Sequence, residues 1–252
     1  MPYKGKIFLV TGASSGIGAA VSRLLLDNGA QVVAVSRRKI TGESFSNREQ
    51  QNFQSSRKGI LKIMQCDLSD FESLDKSIGQ TLKSISYLDG VVLCHGFGDF
   101  GSLEEFSVAR IKRQIDTNLT SIMLISRLAM PIMKKQGCGD LVIIGSKSGL
   151  EGSKKGAVYC AAKFGLSGFV QALRKECAAS GVRVAIVNPG MVDTEFFDEL
   201  DFTPGQSRDN ALQADDVANA VKTILDMPAG SVIDQINLSP QKSVVRNKSW
   251  KS

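Results

Sequence analysis

Short runs of apolar residues recur along the chain, with segments long enough to form helices between them. The runs that fit buried strands lie at residues 7–10, 32–35, 60–64, 91–94, 141–144, 182–187 and 232–236. A strand buried on both faces is apolar throughout, and parallel pairing needs a long connection between strands. The pattern therefore predicts parallel pairing through βαβ units.

Between these runs, apolar residues follow helical spacing. The predicted helices span residues 17–28, 74–85, 106–135, 158–179 and 214–225. Strands that alternate with helices predict an α/β fold, a Rossmann-like doubly wound parallel sheet of about seven strands with helices on both faces. Residues 39–58 and 195–210 lack this periodicity, and we expect surface loops there.

Composition narrows the class of protein. The 252 residues are 42% hydrophobic and 22% charged, which is typical of a globular protein, and we expect one domain over residues 1–252. The net charge of +6 is spread along the chain without basic blocks, so we expect no nucleic-acid partner. The sequence shows neither a secretion-signal pattern nor a run of about 18 apolar residues, which predicts a cytoplasmic protein with no membrane partner.

The cysteines point away from disulfides and metals. They are five in number and form no C-x-x-C pair, so the pattern favours neither a disulfide framework nor a zinc site, and we expect no metal. We expect all five to be buried small side chains in a reducing compartment.

A glycine-rich turn follows the first predicted strand. It reads Thr11-Gly12-Ala13-Ser14-Ser15-Gly16-Ile17-Gly18 and leads into a helical pattern. Glycines there let the backbone bend tightly and let a pyrophosphate approach amides at the start of a helix. The spacing G-x-x-x-G-x-G differs from the standard G-x-G-x-x-G fingerprint, but its place after the first strand favours a dinucleotide site over a simple turn.

The end of the second predicted strand bears on the choice of cofactor. It reads Val35-Ser36-Arg37-Arg38 and holds no acidic residue. An acid near this position binds the ribose of NAD, whereas an arginine accommodates the additional phosphate of NADP. We therefore expect NADP(H), with Arg37 the stronger and Arg38 the weaker candidate for the phosphate contact. The alternative is that both arginines face solvent.

A tyrosine and a lysine lie one helical turn apart. Tyr159 and Lys163 share a helix face, where an ammonium can stabilise a phenolate, although this spacing also occurs on many solvated faces. Thirteen residues before Tyr159, Ser146 follows a predicted strand at the sheet edge where α/β folds bind ligands. Ser148 is the rival hydroxyl. Asn118 interrupts a helical pattern, and a buried asparagine there can hold a water.

Together these motifs resemble the short-chain dehydrogenase/reductase family, in its forms of about 250 residues, over nearly the whole chain. The glycine turn, the four polar residues Asn118, Ser146, Tyr159 and Lys163, and the segment from Asn188 to Thr194 all match family motifs in order. Asp67 matches the acid that meets the adenine amino group in the family. Cys94-His95-Gly96 departs from the usual Asn-Ala-Gly and keeps its glycine.

The resemblance implies hydride transfer between a nicotinamide and a carbonyl or secondary-alcohol substrate. It implies that Ser146 polarises the carbonyl and that Tyr159 donates the proton. Lys163 would bind the nicotinamide ribose and lower the Tyr159 pKa, and Asn118 would keep a water in a proton relay. The cofactor-binding residues it implies are Thr11, Gly12, Ser14, Ser15, Gly16, Ile17, Gly18, Ser36, Arg37, Arg38, Asp67, Leu68, Cys94, His95, Gly96, Tyr159, Lys163, Pro189, Gly190, Val192 and Thr194.

Several alternatives stay open. The chain could instead be a non-catalytic dinucleotide sensor or scaffold, but the presence of both Tyr159 and Lys163 favours an enzyme. The resemblance implies a homotetramer or homodimer joined through residues 106–135 and 158–179. We expect His95 to be a wall of the cofactor site. The phenylalanines of residues 195–210 line a substrate entrance or pack a short helix, and residues 241–252 are a frayed terminus or a subunit contact.

Overall fold

A computed structural model describes residues 1–40 and 60–248, and in these ranges seven strands form one parallel sheet. Its order is β3-β2-β1-β4-β5-β6-β8, and every neighbouring pair is parallel. The strands are β1 (Ile7–Thr11), β2 (Gln31–Ser36), β3 (Ile60–Gln65), β4 (Gly90–Leu93), β5 (Gly139–Ile144), β6 (Val182–Pro189) and β8 (Gln235–Leu238). The expected fold class is confirmed. The last strand begins later than expected and leaves out Val232, and residues 41–58 of the expected polar loop lie outside the described ranges.

Helices cover both faces of the sheet. They are α1 (Gly16–Asp27), α2 (Phe71–Lys83), α3 (Val108–Ile115), α4 (Ser121–Gln136), α5 (Ala157–Cys177) and α6 (Ala214–Leu225). The strand side chains alternate between two cores. Phe8 and Val10 face α1 and α6, whereas Leu9 faces α2, α4 and α5. This two-sided burial explains why the inner strands β1 and β4 are apolar along their length.

The helix expected over residues 106–135 is interrupted. A π-helical turn, Asp116–Thr120, separates α3 from α4. Asn118 lies in this turn, and its Nδ2 donates to the carbonyl of Gln114 at 3.0 Å. A side chain that competes for a helical carbonyl favours such a departure from α-helical bonding, and π turns are frequent at functional sites.

A second, smaller sheet joins two segments that are distant in sequence. Strand β7 (Phe202–Pro204) pairs antiparallel with β9 (Val245–Asn247). The expected loop at residues 195–210 thus contains a strand, and part of the chain after residue 241 pairs with it. The apolar-run pattern missed both strands because each is three residues long and partly or fully exposed.

Two further expectations concern burial. Cys66, Cys160 and Cys177 are buried, but Cys94 is only partly buried and Cys138 is exposed. The expectation was wrong for Cys138 because it lies in the turn between α4 and β5, where its sulfur is 2.9 Å from the Tyr87 hydroxyl. No helix within residues 1–40 and 60–248 is long and apolar enough to cross a membrane.

Candidate active site

The candidate site lies where the sheet order changes direction. Strand β1 sits between β2 and β4, so the loops after β1 and β4 meet at the carboxyl edge of the sheet. A Cβ atom added to Gly12 would lie 3.0 Å from the Cα of His95, so the two loops touch. In α/β sheets this crevice is the usual place for a ligand.

The glycine turn is built for close backbone approach. Gly12 and Gly16 have φ values of 66° and 53°, in the left-handed region that favours glycine. A Cβ atom on Gly18 would lie 2.3 Å from the carbonyl oxygen of Gly12. Helix α1 begins at Gly16, and the side chain of its N-cap residue Ser15 makes no capping hydrogen bond. Amides left unpaired at a helix start bind phosphate, so this turn fits the pyrophosphate of a dinucleotide.

The end of β2 brings Arg38 to this turn and leaves Arg37 beside Asp67. The Arg38 guanidinium donates to the Ser15 hydroxyl at 2.5 Å and pairs with Glu195 at 2.7 Å. Ser36 is buried, and its hydroxyl donates to the Arg38 carbonyl. Arg38, the weaker candidate from the sequence, therefore contacts the glycine turn directly.

Asp67 lies at the carboxyl end of β3, beside Arg37. Burial raises its pKa, but hydrogen bonds from Ser69 and the charge of Arg37 outweigh burial, so the Asp67 pKa lies below its ordinary value. Asp67 is exposed, whereas Leu68 next to it is buried in the core. An exposed carboxylate at the carboxyl edge of the sheet can accept hydrogen bonds from a ligand.

His95 links the end of β1 to the start of α4. Its Nδ1 lies 2.7 Å from the Thr11 hydroxyl and its Nε2 lies 2.8 Å from the Ser121 hydroxyl. The Ser121 hydroxyl donates to the Thr117 carbonyl, so Nε2 must be the donor to Ser121 and Nδ1 the acceptor from Thr11. Burial, together with the charge of Lys163, lowers the His95 pKa to about 3. The ring is a neutral brace that fixes the Cys94-His95-Gly96 segment.

Asn118 is fixed against the same segment. Its Oδ1 accepts from the Phe97 amide at 3.1 Å, and its Nδ2 donates to the Phe97 carbonyl at 2.9 Å. A Cβ atom on Gly96 would lie 2.7 Å from that Oδ1 and 3.8 Å from Nζ of Lys163. Glycine at position 96 therefore lets Asn118 and Lys163 approach one backbone segment.

Helix α5 presents Tyr159 and Lys163 to this point. Nζ of Lys163 donates to the carbonyl of Ile144, at the end of β5, at 3.2 Å and lies 5.7 Å from the centre of the Tyr159 ring. Both side chains are buried. Burial lowers the Lys163 pKa to about 8.

Tyr159 is a protonated phenol at neutral pH. Burial raises its pKa to about 12, and the neighbouring Ser146 hydroxyl offsets that rise only in part. The lowering by Lys163 that the resemblance implies is therefore not found, because removal of the phenol from water outweighs the favourable contacts. A neutral phenol held in this way is a proton donor.

Ser146 is held in place by an asparagine that the sequence analysis did not count among the site residues. Oδ1 of Asn188, at the end of β6, accepts from the Ser146 amide at 3.2 Å, and Asn188 is fully buried. The Ser146 hydroxyl accepts from the Ser148 amide at 3.1 Å. Of the two candidate serines, Ser146 is thus the one next to Tyr159. The sequence signal that could have identified Asn188 is its place directly before Pro189-Gly190, at the end of a predicted strand.

The segment after β6 crosses back over the glycine turn. The Gly190 amide donates to the Leu238 carbonyl at 2.8 Å, and Val192 is buried in the core. The Thr194 side chain lies 3.2 Å from where a Gly16 Cβ would be. Thr194 therefore closes one side of the proposed dinucleotide crevice.

Four phenylalanine rings form a cluster beside Tyr159, two of them in contact with it, and we call this group the aromatic cover. The Phe100 and Phe196 ring centres lie 5.2 and 6.1 Å from that of Tyr159. Phe202 packs on Phe100 at 5.2 Å, and Phe197 contacts Phe196 and Phe202 at 5.2 and 5.8 Å. The sequence analysis missed Phe100, which comes from the loop after β4 and carries no periodic signal.

Comparison with known proteins agrees with this architecture. The family model for short chain dehydrogenase matches residues 6–204. An uncharacterized oxidoreductase of Staphylococcus epidermidis is 30% identical over 237 residues, 94% of this chain and 98% of that protein. An alcohol dehydrogenase from the archaeon Thermococcus sibiricus, solved with 5-hydroxy-NADP, has a TM-score of 0.80 and 25% identity, covering 93% of this chain and 96% of that one. A metagenomic short-chain oxidoreductase in complex with NADP has a TM-score of 0.79 and 28% identity, covering 95% of this chain and 99% of that one. Because the family match spans most of its length, the chain belongs to the short-chain dehydrogenase family of oxidoreductases.

Proposed function

We propose that this oxidoreductase interconverts a carbonyl compound and a secondary alcohol with NADP(H) as the hydride carrier. The observation that carries the proposal is the convergence of Ser146, Tyr159 and Lys163 at the carboxyl edge of the sheet, next to a turn that fits a dinucleotide. When bound, the nicotinamide supplies or accepts the hydride.

The chain's own residues supply the proton and hold the substrate oxygen. In the direction of reduction, Ser146 donates a hydrogen bond to the carbonyl oxygen, and Tyr159 transfers its phenolic proton to that oxygen. The raised pKa keeps Tyr159 protonated and available at neutral pH. Lys163 would hold the ribose of a bound cofactor near Tyr159, and Asn118 fixes the Gly96–Phe97 backbone.

Proton supply completes the cycle. Once Tyr159 has given up its proton, the Lys163 ammonium, which lies 5.7 Å from the ring centre, stabilises the phenolate. Reprotonation through a water held near Asn118 restores the donor. In this proposal Lys163 and the water near Asn118 therefore act after Tyr159 has transferred its proton.

Three observations support NADP(H) over NAD(H). Position 36 is a serine, so no carboxylate repels a 2′-phosphate. Arg37 and Arg38 follow it, and Arg38 already donates to Ser15 in the turn. Two of the solved relatives carry NADP or a derivative of it.

We extend the proposal to the state of the protein in the cell. The continuous seven-stranded sheet supports one domain over residues 1–252. Five free cysteines favour a reducing compartment such as the cytoplasm. On the outer face of α5, Phe164 is 46% exposed, which supports a homodimer or homotetramer through this helix.

The test is the variant Tyr159→Phe, which keeps the ring and removes the proton donor. We expect turnover of the best substrate from a panel of ketones, 3-oxo esters, sugars and steroids to fall at least about a hundredfold, with NADPH affinity unchanged. Tyr87→Phe, at a tyrosine outside the site, is the matched control. Turnover within a few-fold of the parent would remove Tyr159 as the acid. NADPH binding without turnover of any substrate would instead favour the sensor alternative.

A further inference from the structure

Two rings of the aromatic cover belong to a short helix whose last backbone carbonyls need hydrogen-bond donors. Phe196 and Phe197 belong to a short 3-10 helix, Glu195–Phe197, that ends at Asp198. The last carbonyls of a helix have no partner within it and need one from elsewhere. The group that supplies this partner therefore decides how firmly the two rings are held.

The Phe197 carbonyl accepts from the nearby Leu200 amide at 3.1 Å, and the partner that comes from a distant part of the chain is the ammonium of Lys248. Its Nζ donates to the Phe197 carbonyl at 2.5 Å and to the Asp198 carbonyl at 3.0 Å. Its own amide donates to the Asp201 carbonyl at 2.7 Å. One residue thus bonds three carbonyls across the five residues that lead from the first cover rings to β7.

The pairing of β7 with β9 fixes where Lys248 stands. Phe202, itself a ring of the aromatic cover, is in register with Asn247, the residue before Lys248. The Gly205 amide donates to the Val244 carbonyl at 3.0 Å, which closes the other end of the pair. We call residues 195–205 the cover segment. Residues 244–247 therefore lie alongside its second half, and Lys248 reaches residues 197, 198 and 201 in its first half.

Charge favours the same contact. The cover segment carries Glu195, Asp198, Glu199 and Asp201 within seven residues. The Lys248 ammonium is a charged donor to two backbone carbonyls of this acidic segment, and charge-assisted hydrogen bonds are stronger than neutral ones. Phe197 is buried and the Lys248 side chain is partly buried, so water competes less for these bonds than at a free surface.

We propose that Lys248 is a positioning residue that holds the aromatic cover over Tyr159 and so sets the affinity for the substrate. The proposal rests on the proposed function, because it assigns the cover to the substrate side of Tyr159. Lys248 acts through the Phe197 and Asp198 backbone and does not touch the reacting atoms.

The test compares Lys248→Met, which keeps the aliphatic stem, with Lys248→Arg, which restores a cationic donor. Lys242→Met is the matched control, because Lys242 lies in the same tail but pairs with Asp209 instead. We expect Lys248→Met to raise KM for the carbonyl substrate about tenfold, with kcat changed less than about threefold and NADPH affinity unchanged. Lys248→Arg should recover most of the loss, and Lys242→Met should match the parent.

A second readout needs no turnover. Acetylation of tyrosine hydroxyls by N-acetylimidazole, followed by mass spectrometry, reports how well Tyr159 is covered, with the exposed Tyr87 as the internal reference. We expect the Tyr159 rate relative to Tyr87 to rise about fivefold in Lys248→Met only. An unchanged relative rate, or an equal rise in Lys242→Met, overturns the proposal. If the labelling changes as expected while no substrate turns over in any variant, the positioning role stands and the proposed function fails.

Discussion

Burial of the neutral His95 ring makes the stability of the protein depend on pH. His95 is the one histidine of the chain, and its pKa in the folded protein is about 3 against an ordinary 6.5. A group with a depressed folded pKa contributes stability that is fully present above its unfolded pKa and is lost as pH falls towards the folded value. Stability should therefore decline from about pH 6.5 downward.

The magnitude follows from one proton. Between pH 6.5 and pH 5 the unfolded chain binds a proton at His95 and the folded chain does not, which costs about 1.4 kcal/mol per pH unit once the unfolded side chain is mostly protonated. Because protonation is only half complete at pH 6.5, the loss by pH 5 is roughly 1.5 to 2 kcal/mol. Most carboxylates ionise below this window, and Lys163, with a pKa of about 8, is already protonated throughout it.

Urea unfolding at pH 7.5, 6.5, 5.5 and 5.0 measures this slope. His95→Gln is the matched variant, because an amide can donate and accept between Thr11 and Ser121 without taking up a proton. We expect the variant to start somewhat less stable and to lose almost nothing over the window. A parent protein whose unfolding free energy is flat from pH 6.5 to 5, or a variant with the same slope, would refute the neutral-brace interpretation of His95.

Two further changes address the cofactor crevice. Ser36→Asp combined with Arg37→Ala should shift the ratio of kcat/KM values from NADPH towards NADH by at least about tenfold, because the variant loses a contact to the phosphate and gains an acceptor for the ribose. An unchanged ratio would count against a phosphate site at the end of β2. Gly18→Ala should abolish dinucleotide binding measured by NADPH fluorescence and lower the melting temperature, because its Cβ would lie 2.3 Å from the Gly12 carbonyl oxygen, whereas Gly168→Ala, with open space around its Cβ, should do neither.

The sequence was most informative where periodicity is strong. The six predicted strands up to residue 187 and the helix over 214–225 all agree with the structure to within a few residues. Two-sided burial makes inner strands such as β1 and β4 apolar along their length, and the edge strand β3 was found from its apolar residues although Ile63 is 44% exposed. The long predicted helix failed at Asn118, since the side-chain bonds to Phe97 and Gln114 that favour the π turn depend on a loop 21 residues away.

Within the site, spacing brought out the polar residues but not their surroundings. Tyr159, Lys163 and Ser146 were found from one helix turn and one strand end. Phe100 was missed, and the link between residues 197 and 248 could not be predicted, because such contacts depend on how distant loops fold over the sheet edge. The pKa of Tyr159 likewise depends on burial, which a local motif does not reveal.

The interior position of β1 in the sheet also affects how the chain folds during synthesis. Strands β1, β2 and β3 can pair once residue 65 has left the ribosome, but the other edge of β1 has no partner until β4, Gly90–Leu93, has followed. During that interval the edge presents unpaired backbone groups to other nascent chains, and Leu9 and Val10 on the two faces lack their full cores. Such an edge invites strand pairing between molecules, so slow synthesis between residues 65 and 93 would favour aggregation, and chaperone capture there would protect yield.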